Sequence, residues 1–190
     1  LAAANVMHGD VRAANISSHD GDTWKLIDFG LTDDLQGSNP PRLYAFVGPS
    51  GVRAPETVDG YASVVTSATE VFMCAMTVWR ALNGVVFTPD TMYKLQAAGH
   101  LPAGSVHGLS DLPELPCARN GEDVDSYERR VNVYAKTYFC RFHDPYFRMF
   151  LKTTNVYGTD DPLVSVLLAC LADRPRKRPS ANDVVASVVV

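Results

Sequence analysis

The amino-acid sequence predicts a mainly α-helical domain with one small β-hairpin near its beginning. Strand signals occur only before residue 30, where two short apolar runs flank a polar turn that contains Gly21. After residue 60, apolar residues recur at helical spacings, and Gly and Pro punctuate the apolar runs. The chain has 190 residues, of which 46% are hydrophobic, and this is enough for one domain with a sizeable core.

The composition excludes several classes of protein. A formal net charge of −4 gives no bulk electrostatic attraction to nucleic acid or to an anionic membrane. No window approaches 18 uninterrupted apolar residues, so we expect no membrane span. The four cysteines include no closely spaced pair, which favours reduced thiols over zinc ligands or disulfides. We therefore expect an intracellular, cytoplasmic protein, with the nucleus left open, and no pattern indicates an oligomeric state.

The first part of the chain predicts a hairpin and then a long loop. Ile16 leads into the polar turn 19–22, and residues 24–27 return as a strand. Residues 32–51 are rich in Gly, Pro, Ser and Asp and have no sustained period, so they are predicted to form a loop. Loops of this length are often functional.

The remainder predicts helices. Residues 66–82 are mostly apolar and end before Asn83-Gly84, which indicates a buried helix with a glycine stop. Thr88-Pro89 begins a short helix that ends near Gly99, and the prolines within 100–121 predict an irregular surface segment. Three more helices are predicted at 122–142, from Asp161 to about residue 172, and after the cap residue Ser180.

Three polar side chains near the beginning have the chemistry that phosphoryl transfer needs. This reaction needs a magnesium-bound polyphosphate held in line with an acceptor hydroxyl. Magnesium prefers hard oxygen ligands, usually one or two carboxylates together with phosphates and water. Asp10, Asn15 and Asp28 can supply two metal ligands and a base for the hydroxyl.

These residues lie in motifs that resemble those of the protein kinase family. The stretch HGDVRAAN resembles the kinase catalytic loop, and DFG resembles the metal-binding triplet. The resemblance implies that Asp10 orients or deprotonates the substrate hydroxyl, and that Asn15 and Asp28 bind Mg²⁺ and thereby ATP. It implies that Arg12 contacts the transferred phosphate. Structural support is implied for His8, which would pack against Phe29, and for Phe29 and Gly30 of the triplet themselves.

Later motifs extend the resemblance along the chain. GVRAPE resembles the end of a kinase activation segment, and we place that segment at 28–56. RKRPS resembles a late kinase motif whose arginine pairs with the glutamate at the end of the activation segment. Glu56 and Arg178 would then form a buried pair, because an unpaired buried charge costs roughly 3–5 kcal/mol. Glu70 occupies the position of the helix aspartate that anchors the catalytic loop. The implied fold is a protein-kinase-like C-lobe whose hairpin carries the catalytic and metal-binding loops.

The N-terminal lobe of that family is not found here. No Gly-rich phosphate loop and no strand lysine precede His8. We therefore expect residues 1–190 to form a partial protein kinase domain, the C-lobe only, and expect the isolated fragment to be inactive. Residues 85–160 look expanded relative to the usual lobe, and 100–121 within them are a candidate docking segment.

Some residues depart from the family pattern. Gly9 replaces the arginine that normally meets an activation-loop phosphate, which argues against ordering by phosphorylation. Pro49 and Val52 replace the threonine and tyrosine of the serine/threonine pattern, and RAAN resembles some tyrosine kinases. We favour a protein Ser/Thr hydroxyl as substrate, because the segment before Ala54 lacks the tryptophan-containing approach typical of tyrosine kinases.

Two alternatives stay open. The departures at Gly9, Pro49 and Glu70 are compatible with a pseudokinase scaffold that does not catalyse transfer. The stretches HGDVRAAN and LIDFG also match small-molecule kinases of the aminoglycoside or choline type, but those enzymes lack the activation-segment closure. A buried pair between Glu56 and Arg178 would therefore favour a protein kinase.

Overall fold

The computed structural model describes residues 6–34, 54–58, 66–109, 119–123 and 144–188, together with scattered positions between 126 and 137. Helices predominate in these residues, and the strands are confined to the first part of the chain, as predicted. In chain order the elements are β1 (Val6–Met7), β2 (Ile16–Ser18), β3 (Trp24–Leu26), β4 (Asp33–Asp34), α1 (Ser67–Asn83), α2 (Pro89–Ala97), α3 (Asp144–Thr154), α4 (Pro162–Cys170) and α5 (Ala181–Val188). Short 3-10 turns occupy Ala13–Asn15, Pro55–Val58 and Pro175–Lys177.

The predicted hairpin is confirmed as the antiparallel pair β2–β3, with Ile16 opposite Leu26. Its turn is closed by Asp20, whose Oδ1 accepts the backbone N–H of Thr23 at 2.7 Å. A second antiparallel pair, β1–β4, places Met7 opposite Asp33. We had predicted a loop from residue 32, which is wrong at β4, because a strand of two residues leaves no periodic signal in the sequence.

Helix α1 is the buried helix that the sequence predicts. Thr66 precedes it with extended backbone, and Gly84 ends it in the left-handed conformation at φ +68°. A glycine there avoids the Cβ strain of a positive φ. Phe72 and Trp79 on this helix are fully buried, and the Trp79 Nε1–H donates to Thr154 Oγ1 on α3 at 3.1 Å.

Helix α2 begins as predicted, with Thr88 Oγ1 accepting the N–H of Thr91 and Pro89 in the first turn. The segment after it is irregular over the described residues 100–109, but its assignment to the surface is wrong for three apolar side chains, which lie in the core: Leu101, Val106 and Leu109. Gln96 Oε1 on α2 accepts the N–H of Val106 at 2.7 Å and holds the segment against the helices.

Helix α3 was not predicted as a helix, and its aromatic residues Tyr146, Phe147 and Phe150 are buried in the core. Phe87 lies between Phe147 and Phe150, with ring centroids 5.2 and 5.0 Å away. The described positions between 126 and 137 are helical, in agreement with the helix predicted at 122–142. Residues 122 and 123 are described but are not helical, so the predicted start of this helix is two residues early at least, and the remaining positions lie outside the described residues.

The last two helices have the predicted caps. Asp161 Oδ1 accepts the N–H groups of Leu163 and Val164 at the start of α4. Ser180 Oγ accepts the N–H of Asp183 at the start of α5, while the Asp183 carboxylate accepts from Ser180 in return. Within the described ranges, no helix is long and apolar enough to cross a membrane.

Candidate active site

Helix α1 holds the loop of residues 8–15, which carries the candidate base. Glu70 Oε1 accepts the backbone N–H groups of His8 at 2.6 Å and Gly9 at 2.9 Å. Burial raises the pKa of Glu70, against the opposing effect of these two hydrogen bonds. Two turns further along α1, Thr77 Oγ1 donates to the carbonyl oxygen of Val11 at 3.2 Å. The helix therefore fixes the loop on both sides of the candidate base.

The anchoring position of Glu70 is predicted from the sequence, but Thr77 is not. The available signal is the spacing of seven residues, which puts both side chains on the same face of an α-helix. Thr77 is buried, and its single hydroxyl proton is shared between the Val11 carbonyl and the Met73 carbonyl one turn earlier on α1, at 2.9 Å.

Asp10 is buried, and its two carboxylate oxygens differ. Oδ2 accepts a hydrogen bond from Asn15 Nδ2 at 2.8 Å and lies 3.0 Å from Arg12 Nε. The Arg12 contact is ionic and lacks the geometry of a hydrogen bond. Oδ1 is buried and has no hydrogen-bond partner among the described residues. Buried polar atoms are nearly always paired, so this oxygen is a candidate to receive a substrate proton.

The Arg12–Asp10 contact was not predicted from the sequence. The Arg12 side chain is 41% exposed as a whole, although its Nε atom, which contacts Asp10, is buried.

Asp28 lies two residues after the end of β3, and its segment lies beside the end of the loop of residues 8–15. The backbone N–H of Ile27 donates to the Asn15 carbonyl at 2.8 Å, which joins the two segments next to Asp28. Asp28 has φ +63°, and within the described residues no other non-glycine residue has a positive φ. Aspartate is one of the few residue types that tolerate this conformation. Its exposed carboxylate makes a long contact, 3.4 Å, with the N–H of Gly30, and no other hydrogen bond among the residues that the structure describes.

His8 packs against Phe29, the residue after Asp28, as predicted. Its buried ring lies 4.9 Å from the Phe29 ring in an edge-on contact. Its Nε2 lies 3.0 Å from the carbonyl oxygen of Ile27, and the Asp10 N–H donates to its Nδ1 at 3.2 Å. These two bonds require a neutral imidazole with the proton on Nε2. His8 thus joins the catalytic loop to the segment that contains Asp28.

The donor atoms fit a magnesium ion that also binds phosphate oxygens. Asn15 uses its amide nitrogen to bond Asp10, so its oxygen is left for another ligand, and the Asp28 carboxylate is exposed. Across the part of the chain that the structure describes, no three His, Cys, Asp or Glu side chains form a metal cluster. Two protein oxygens suit magnesium, which usually completes its coordination with water and phosphate.

The expected pair between Glu56 and Arg178 is present. Arg178 Nη1 and Nη2 donate to the two Glu56 carboxylate oxygens at 2.6 and 2.8 Å. The Arg178 side chain is 0% exposed, and its guanidinium lies 4.8 Å from the centre of the Phe72 ring. It also donates to three backbone carbonyls, those of Ala68, Ala172 and Asp173. This network ties the turn Pro55–Val58 to α1 and to the segment before α5.

Residues 35–53 of the predicted activation segment, including Pro49 and Val52, lie outside the described residues. Residues 110–118 of the candidate docking segment do so as well. The described part of the activation segment is its two ends, which the catalytic loop and Arg178 hold.

Comparison with known families agrees with this geometry. The family model described as the protein kinase domain matches residues 1–190, the whole chain. No curated protein matches the chain. The chain belongs to the protein kinase domain family.

Proposed function

We propose that this chain forms the C-terminal lobe of a protein kinase, and that the full-length natural protein transfers the γ-phosphoryl group of ATP to a protein Ser or Thr hydroxyl. Membership in the protein kinase domain family supports phosphoryl transfer of the kinase type. The observation that carries the proposal is the buried Oδ1 of Asp10, which has no hydrogen-bond partner within the described part of the chain, while Asn15 donates to the other oxygen.

In the proposed reaction, the substrate hydroxyl donates a hydrogen bond to Asp10 Oδ1. Its oxygen forms a bond to the γ-phosphorus while the bond from that phosphorus to the ADP oxygen breaks. The hydroxyl proton passes to Asp10. Because Asn15 and Arg12 both contact Oδ2, the carboxylate is held with Oδ1 directed away from them. The partly exposed side chain of Arg12 is placed to contact the transferred phosphoryl oxygens.

Asn15 and Asp28 would hold Mg²⁺ on ATP in this proposal. The ion would neutralise charge on the phosphate oxygens when bound. The protein's own contribution is positional. The Ile27–Asn15 backbone bond and the His8–Phe29 contact keep the two ligand-bearing segments adjacent. Glu70 and Thr77 then fix the loop on α1.

The Glu56–Arg178 pair supports a protein kinase over a small-molecule kinase of the aminoglycoside or choline type. It closes the activation segment onto the helices, a feature those enzymes lack. The presence of Asp10, Asn15 and Asp28 in a mutually supported geometry argues against a pseudokinase scaffold. The preference for Ser/Thr rests on the sequence before Ala54 alone.

The test is transfer of labelled phosphate from ATP by the full-length natural protein. The acceptors are a generic basic protein, choline and an aminoglycoside, each with Mg²⁺, and the labelled protein is hydrolysed to identify its phosphoamino acid. We expect label on Ser or Thr of the protein acceptor. Asp10→Asn keeps the shape of the side chain but removes the base, and a general base contributes about 10²–10⁴-fold, so kcat should fall by that factor.

Lys94→Met is the matched control, since Lys94 lies in an exposed pair with Asp90 on α2, outside the proposed site. It should leave kcat unchanged. Label only on choline or the aminoglycoside would replace the protein kinase with a small-molecule kinase. No transfer at all, with the same result for Asp10→Asn, would favour the scaffold. Turnover of ATP by the 190-residue chain alone would contradict its assignment as a C-lobe.

A further inference from the structure

We propose that Gly9 is a positioning residue for Asp28, because its bare Cα lets the backbone of Leu31 pack directly against the catalytic loop. The inference rests on the proposed function, in which Asp28 is a magnesium ligand. Gly9 departs from the family pattern, and the structure gives a steric reason for a glycine at this position.

The space at Gly9 is closed. Its φ is +83°, and a Cβ added there would lie 2.5 Å from the carbonyl oxygen of Leu31 and 3.3 Å from the Leu31 carbonyl carbon and Cβ. Real Cβ atoms essentially never approach an oxygen to 2.5 Å. Among glycines with a similar φ, Gly21 has +84° and nothing within 4 Å of the same hypothetical atom. The crowding at Gly9 is therefore separate from its backbone conformation.

Neither side of this contact can move freely. The N–H of Gly9 is bonded to Glu70 Oε1, which holds the catalytic loop on α1. The segment that carries Leu31 is fixed before Asp28 by the bond between the Ile27 carbonyl and His8. It is fixed again after Leu31 by the β1–β4 pair. Leu31 lies between these two fixed positions, Ile27 and Asp33, in the sequence.

A side chain at position 9 would therefore displace residues 28–32, which lie between the two fixed positions and include Asp28. Asp28 already has a positive φ that few side chains tolerate, so a small displacement of the backbone changes where its carboxylate points. In this conformation no side chain fits at position 9, the family's arginine included. The two segments are aligned by backbone packing, without a charged side chain at position 9.

The experiment compares Gly9→Ala with Gly21→Ala in the full-length natural protein. Both variants place a Cβ at nearly the same φ, so both bear a similar backbone strain, but only Gly9→Ala meets Leu31. The readouts are the Mg²⁺ concentration that half-saturates ATP turnover, and the binding of Mn²⁺ in the presence of a non-hydrolysable ATP analogue. Misplaced metal ligands typically cost about 10–100-fold in affinity, so we expect a shift of that size in both readouts for Gly9→Ala. Gly21→Ala should leave both unchanged.

Equal metal affinity in Gly9→Ala and Gly21→Ala would overturn the inference. Asp28→Asn separates this outcome from failure of the proposed function: if it leaves the metal dependence unchanged, Asp28 is not a ligand and the proposed function is what fails. If Gly9→Ala does not fold, Gly9→Asn replaces it, since asparagine tolerates a positive φ but still carries a Cβ. If Gly9→Ala and Gly9→Asn both fail to fold while Gly21→Ala folds, then Gly9 is needed for folding, and the inference that it only positions Asp28 is overturned.

Discussion

Replacing Arg178 with methionine should remove much of the stability of this chain. The substitution keeps an unbranched apolar stem but deletes a fully buried guanidinium with five hydrogen bonds. It leaves the Glu56 carboxylate, whose side chain is only 13% exposed, without its cation. Breaking a buried pair by removing one partner costs about 3–5 kcal/mol, and whole domains are stable by about 5–15 kcal/mol. We expect a loss in that range in urea unfolding followed by tryptophan fluorescence.

Lys94→Met is the matched control, because it makes the same change of a cation to methionine in an exposed pair with Asp90. Exposed pairs contribute about 0–1 kcal/mol, so its effect should be small. The double variant Glu56→Gln/Arg178→Met removes both charges, and its loss should be smaller than the sum of the single losses. Equal losses for Arg178→Met and Lys94→Met would refute the argument that this pair closes the fold.

Three further predictions concern other contacts. Since the pKa of Glu70 is raised above 4.5, its carboxyl group loses its proton at a higher pH in the folded chain than in the unfolded chain. The free energy of unfolding should therefore fall, relative to Glu70→Gln, as pH rises from about 4.5 through the folded pKa; parallel pH profiles would contradict this. Asp28→Gly should be more stable than Asp28→Ala by about 1 kcal/mol, because alanine keeps the Cβ strain at φ +63°, and equal urea midpoints would refute it. Thr154→Val should cost about 1–3 kcal/mol in urea unfolding by leaving the buried Trp79 N–H unpaired, whereas Thr154→Ser should cost less; equal effects would argue against that hydrogen bond.

Glu70, which departs from the aspartate of the family pattern, still anchors the loop of residues 8–15. The longer carboxylate still accepts both backbone N–H groups with one oxygen. The cost is the partial burial of a single carboxylate, which appears as the raised pKa. A half-buried carboxylate with two N–H donors is tolerated because those donors favour the charged form against desolvation.

The sequence by itself determined the elements with strong local signals. The hairpin, helix α1 with its Gly84 stop, and the caps Asp161 and Ser180 all follow from turn, cap and breaker residues acting on their own neighbours. It also determined which side chains carry the candidate chemistry, since Asp10, Asn15 and Asp28 stand in short motifs. Motifs far apart in the chain implied the pairing of Glu56 with Arg178.

Only the tertiary structure decided contacts that have no local signal. Strand β4 exists because β1 pairs with it, and Leu101 is buried because Gln96 holds the segment 100–109 against the core. Asn15 and Arg12 both contact Oδ2 of Asp10, which leaves Oδ1 without a partner among the described residues. The requirement for glycine at position 9 depends on the Leu31 backbone across the site. Each of these is a contact between two parts of the chain. The distance between them is fixed by how the whole chain packs, and not by the residues of either part alone.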